Sequence, residues 1–185
     1  MNICPRIQGF AFLTGFALCI PVANWMIGNL GSFCVPNGPC LIPVAPGIMA
    51  PSGVLMIGLA LVLRDLVQRR LGLTWAFAAI ILGVVLSALL APPALVLASA
   101  AAFLLSETAD LAVYTPLQKR GLVLAVAASG AVGLVVDSVV FLLLAFGSLD
   151  FLAGQIIGKA WMVLLALPFI HWLRRHDARR GILPA

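Results

Sequence analysis

Charge is confined to a few short clumps in this sequence, and the runs between them are long and apolar. No Asp, Glu, Lys or Arg occurs between Arg6 and Arg64, and only Glu107 and Asp110 interrupt the stretch from Arg70 to Lys119. A helix crosses a hydrocarbon core with roughly 20 apolar residues, so several crossings fit. At 63% hydrophobic and 9% charged residues, the chain lies far from soluble domains, in which about 25% of residues are charged. One polytopic membrane domain over 1–185 is the expectation. The first apolar run lacks the charged start, short apolar core and small-residue cleavage site of a removable leader, and is read as a retained helix.

Hydropathy and breakers predict six helices, over 8–28, 52–70, 73–91, 94–118, 121–147 and 152–173. The segment 29–51 holds five prolines and three glycines, which deny it a regular helix. Its apolar side chains predict a dry flap or re-entrant stretch, tolerated at membrane depth only where protein buries it or it lines a cavity. In a six-helix chain the nine cationic residues Arg6, Arg69, Arg70, Lys119, Arg120, Arg174, Arg175, Arg179 and Arg180 all fall on one side. The other side, formed by 29–51, the "APPA" turn at 91–94 and the turn around Asp150, has none. By the positive-inside rule both termini are cytoplasmic, which points to a bacterial cytoplasmic membrane.

Of the cysteines Cys4, Cys19, Cys34 and Cys40, none forms a CxxC pair or a zinc spacing with histidine, so no metal site is expected. Cys34 and Cys40 would face outward, either as a disulfide staple or as small buried hydrophobes. In a membrane chain the placement of the basic residues carries more meaning than the net charge of +5, and no nucleic-acid partner is expected.

Arg64, Asp65, Glu107, Asp110, Asp137 and Lys159 cannot be moved to a helix end without breaking a helix. A mid-helix charge costs about 2.5–3.5 kcal/mol on the insertion scale, so Glu107 and Asp110 cost helix 4 about 5–7 kcal/mol. The strong hydrophobes of that helix return only about 2.4–4.8 kcal/mol on the same scale. Such a helix is tolerated when its carboxylates face a bundle interior, a partner or a wet cavity, and such residues commonly mark substrate or proton paths. Phe103, Glu107, Asp110 and Tyr114 recur at helical spacing along one face. Counted from the lysine-free side, Glu107, Asp137 and Lys159 reach similar depth on three successive helices and are expected to form one cluster. Gln155 sits a turn above Lys159.

Plainer roles stand beside these. Asp137 with Lys159, and Arg64 with Asp65, would serve as structural ion pairs, with Arg64 near enough to the cytoplasmic interface to snorkel. Tyr114, His171 and His176 would suit an interface, and Asn24 either an interface or the cavity. Ala11 and Gly15 form a weak small-residue contact motif.

The run "SETAD…Y…L.KR", then "VVDSVVF…AFG", Lys159 and a proline late in helix 6 resemble the VUT family of vitamin uptake transporters, whose better-known members carry queuosine precursors. The likeness spans roughly residues 51–172. Its most specific part is Glu107, Asp110, Tyr114, Asp137, Ser138, Phe141, Phe146, Gly147 and Lys159. "PSG" at 51–53 and "RDLVQRRLG" at 64–72 also resemble family segments, although Arg69 stands where the family usually has glutamate, and no arginine precedes Ser129. The resemblance implies an all-α, six-helix membrane fold similar to the substrate-binding components of energy-coupling-factor transporters. It further implies import of a 7-deazapurine such as preQ0 or preQ1, with no cofactor.

A deazaguanine edge offers donors to a carboxylate, a carbonyl to Lys159 or Gln155, and a flat ring to Phe103 or Phe141. Glu107 or Asp137 would take the guanine-like edge, and Asp110 the aminomethyl cation of preQ1. Arg64 and Asp65 would form a gate or ion pair. Whether the chain acts alone, as a homodimer or with an energy-coupling partner is open, and it has no P-loop of its own. Another vitamin or nucleobase is the alternative substrate. An intramembrane enzyme is the weaker alternative, because no Ser/His or Cys/His constellation is present. No catalytic residue is assigned.

Overall fold

The computed structural model describes residues 5–36, 38–90 and 96–181. Six helices form: α1 (Pro5–Asn29), α2 (Val54–Leu71), α3 (Leu73–Leu90), α4 (Val96–Leu117), α5 (Leu122–Phe146) and α6 (Leu152–Arg180). Three short strands, β1 (Phe33–Cys34), β2 (Cys40–Ala45) and β3 (Ile48–Pro51), lie between α1 and α2. Helix boundaries follow the apolar runs closely, while the expected "APPA" turn lies outside the described residues.

Five of the six helices are long and apolar enough to cross a membrane, and α2 is the exception. Its 18 residues span about 27 Å yet include Arg64, Asp65, Arg69 and Arg70. Position explains the difference: α2 touches each of the other five helices, and twelve of its residues are buried. A helix sheathed by protein need not be apolar on its outside. The other five turn Leu18, Ile81, Leu97, Leu124, Leu165 and similar side chains outward. Trp25 and Trp161 are exposed toward the sheet end, with Trp75 and Trp172 toward the arginine-rich end, as expected for two interfacial aromatic belts.

The segment 29–51 is more ordered than its breakers suggest, and qualifies the all-helical expectation. It folds as an antiparallel sheet of order β1-β2-β3. Prolines exclude helix but are accommodated at strand irregularities, and Pro43 sits at the register shift in β2. Cys34 and Cys40 face each other across β1 and β2 and form a disulfide. The sheet is tied down on both sides. Trp161 Nε1 on α6 donates to Val44 O at 2.9 Å, and Ser52 Oγ donates to Met26 O at the end of α1 at 2.7 Å. At Gly154 a Cβ would collide with the Met49 carbonyl, so only glycine lets α6 press against β3.

At the opposite end, α2 stops at Gly72, whose φ of 92° lies in a region unfavourable to other residues. There α6 continues past 173 to Arg180, where the sequence alone suggests an end. Asp177 explains the extension. It is buried and accepts hydrogen bonds from Arg69 Nε (3.0 Å), Arg69 Nη2 (2.6 Å), Arg70 Nη1 (3.2 Å) and Arg70 Nη2 (2.8 Å). This knot joins the basic ends of α2 and α6.

Candidate functional site

Beneath the sheet, all six helices contribute to a cleft of about 610 Å³, open mouth included. Its walls are mostly apolar, from Ile20, Ala23, Ile27, Ile57 and Ala102, with Phe103 on α4 and Phe141 on α5. Phe103 is braced by Phe16 at 5.8 Å between ring centroids. Asn24, Ser87, Ser99, Asp137, Gln155 and Lys159 supply the polar lining.

Lys159 organises the polar wall. Its Nζ donates to Asp137 Oδ2 at 2.5 Å, Gln155 Oε1 at 2.7 Å and Ser138 Oγ at 2.8 Å. All three ammonium protons are thereby engaged. The helical repeat builds this constellation: Gln155 and Lys159 lie one turn apart on α6, and Asp137 and Ser138 are adjacent on α5. The lysine side chain is 1% exposed, whereas that of Asp137 is 11% exposed. Asp137 is therefore the acidic group that meets the cleft while its charge is balanced from behind. Asn24 gives one amide proton to Ile20 O at 3.0 Å and otherwise borders the same space.

A second constellation lies one turn deeper. Arg64 Nε donates to Glu107 Oε2 at 2.9 Å, its Nη2 to Asp110 Oδ1, and Nη1 to Gln68 Oε1 at 3.4 Å. Nη2 also stands 2.9 Å from Asp65 Oδ1. Ser129 Oγ donates to Asp65 Oδ2 at 3.0 Å, and Gln68 Nε2 donates to Thr115 Oγ1 at 3.1 Å. The Arg64 guanidinium carbon sits 5.8 Å from the centroid of the Tyr114 ring, within cation–π range.

The expected single cluster of Glu107, Asp137 and Lys159 is therefore split. In place of Lys159, which binds Asp137, α2 presents Arg64 to Glu107. Arg64 does not snorkel; it is fully buried. Tyr114 is no interfacial anchor either: at 0% exposure it packs with Val62, Leu66 and Val126 in the core. Phe103, Asn24, Asp137, Phe141, Gln155 and Lys159 line the cleft, whereas Glu107, Asp110, Tyr114, Arg64 and Asp65 do not. Sequence reasoning left out Asp177, which lies beyond the expected end of helix 6 at 173, and the hydroxyl and amide partners Gln68, Thr115 and Ser129. The i+4 spacing of Arg64 and Gln68 was the available signal for one of them.

An apolar helical bundle with a partly polar cleft among its helices defines a multi-pass membrane protein. Residues 88–173, somewhat under half of the chain, match the family model described as "Putative vitamin uptake transporter", and that segment is similar to this family. The matched span holds Phe103, Glu107, Asp110, Tyr114, Asp137, Phe141, Gln155 and Lys159, but neither Arg64 nor Asp65. No curated protein and no solved structure matches the chain.

Proposed function

We propose that this protein imports a queuosine precursor, a 7-deazapurine of the preQ0 or preQ1 type, across the bacterial cytoplasmic membrane. In this reading six helices cross with both termini inside, in a fold similar to the substrate-binding components of energy-coupling-factor transporters, and the sheet closes the outer mouth. Transport rather than catalysis agrees with the family match.

The observation that carries the substrate class is the Asp137–Lys159–Gln155 wall facing two phenyl rings across one cleft. Asp137 accepts the paired N–H groups of the guanine-like edge. Gln155 turns its amide donors to the carbonyl, and the heterocycle stacks on Phe103 or Phe141. Lys159 holds Asp137 in place through its hydrogen bond, so the acceptor is oriented before the ligand arrives. Among the acceptors the sequence offers, Asp137 is preferred to Glu107, which is already bonded to Arg64 at 2.9 Å. Another vitamin or nucleobase with a donor–donor–acceptor edge would use the same groups.

The test is complementation of a bacterial strain unable to make queuosine precursors, with preQ0, preQ1 and queuine supplied separately. Queuosine should reappear in tRNA with at least one deazapurine. Failure with all three, in cells where the protein is demonstrably in the membrane, removes the queuosine reading.

A further inference from the structure

The deeper constellation is unbalanced. Three carboxylates, Asp65, Glu107 and Asp110, surround the single guanidinium of Arg64, with side-chain exposures of 0–1%. Neighbouring charges do not correct the excess. Lys159 is committed to Asp137, and Arg69 and Arg70 to Asp177. Counted over the whole described interior, five buried carboxylates face four buried cations. An uncompensated carboxylate in such surroundings is held neutral by a proton rather than left charged.

The geometry indicates where the proton resides. Glu107 receives Arg64 Nε directly and is balanced. Asp65 and Asp110 crowd the same guanidinium nitrogen, Arg64 Nη2. Asp110 Oδ2 is buried without a hydrogen-bond partner, and Asp65 Oδ1 has none beyond its ion-pair contact with Arg64 Nη2. Two buried acids gathered on one cation favour sharing a proton over ionising together. A metal ion suits the place poorly because Arg64 Nη2 already occupies the space between the acids. Among the described residues, Ser129 on α5 donates to Asp65 Oδ2, Glu107 on α4 shares Arg64 with the pair, and the Tyr114 hydroxyl on α4 is buried and unpartnered.

We propose that Asp65 and Asp110 form a proton-binding site beneath the cleft, and that this proton is the ion coupled to the uptake described above. The coupling rests on that reading; the site itself does not. A proton from the outer side binds at Asp110 Oδ2, is shared with Asp65 Oδ1, and leaves toward the arginine-rich end when the substrate is released. No bond other than O–H forms or breaks.

Two measurements on the full-length protein test this. Infrared difference spectra in detergent should show a protonated-carboxyl C=O stretch at neutral pH that shifts on deuteration. Either Asp65→Asn or Asp110→Asn should abolish it, because either change leaves the remaining acid without a second carboxyl group to share the proton. In proteoliposomes, labelled preQ1 uptake should rise several-fold under an acid-outside gradient, and sodium replaced by choline should change nothing. In Asp110→Asn the ratio of uptake with and without the gradient should fall to one. Absence of the band, or a band unchanged in both variants, overturns the site. Gradient-insensitive uptake by the unmodified protein, or a sodium requirement, overturns the coupling. No preQ1 uptake under any condition refutes the substrate reading instead, and the band still decides the site.

Discussion

Lys159 and Asp137 either brace two helices or serve a ligand, and pairs of substitutions separate the two roles. Lys159→Met keeps the length of the side chain and removes its charge, leaving Asp137 without a cation. Breaking a buried ion pair from one side costs about 3–5 kcal/mol. The 11% exposure of the Asp137 side chain puts this case at the low end, about 3 kcal/mol. For a domain of this size that lowers Tm by about 6–12 °C, at 2–4 °C per kcal/mol. Asp137→Asn should cost a similar amount, since the lysine keeps only Ser138 and Gln155 as neutral acceptors. The double variant Asp137→Asn/Lys159→Met buries no charge, and should recover most of the lost stability. Ligand binding should not recover. Losing one hydrogen bond to a charged acceptor costs about 1.5–3 kcal/mol, or about 10- to 150-fold in Kd. Thermal unfolding in detergent and calorimetric titration with preQ1 read the two quantities separately. A double variant that regains both stability and affinity would refute the ligand role and reduce the pair to a brace.

Two further outcomes follow from the ends of the bundle. Cys34→Ser/Cys40→Ser removes a cross-link between residues six apart, which loop entropy values at about 2 kcal/mol; hydrogen exchange should quicken in 33–51 while α4 and α5 stay protected. Asp177→Asn strips Arg69 and Arg70 of their shared acceptor and should destabilise by about 3 kcal/mol, with exchange rising first in 174–180; a Tm shift below a degree would show the knot to be solvent-screened.

Helix positions were legible because the energetics of lipid leaves little choice: an apolar run of sufficient length between breakers must be a helix. At the basic end, the structure brings Arg69 and Arg70 of α2 onto α6 at Asp177. The sheet was not legible. Prolines in 29–51 announce where helix fails without saying that Pro43 can occupy a bulge or that Cys34 will face Cys40, since strand pairing depends on register between separate pieces of chain. Asp177 was hidden by its neighbours, because a single acid among four arginines reads as a solvated tail until α2 is seen to end beside it.

The placement of Arg64 has the largest consequence. Hydropathy along α4 identifies a helix whose carboxylates cost more than its leucines and valines return, and therefore demands a partner, but it cannot name one. Depth counting favoured Lys159, at similar level on α6. The structure gives that partner to Asp137 and assigns Arg64 to Glu107 and Asp110, because α2 is the one helix wrapped by all the others. Its central position also explains why α2 is the least membrane-like helix by composition: it carries the cation, Arg64, that makes α4 tolerable, and α4 in turn supplies acids that make Arg64 tolerable. Neither helix is stable in lipid alone, so their insertion should be cooperative. Arg64→Leu, although more apolar, should therefore weaken the fold, since it strands three carboxylates where one guanidinium had held them.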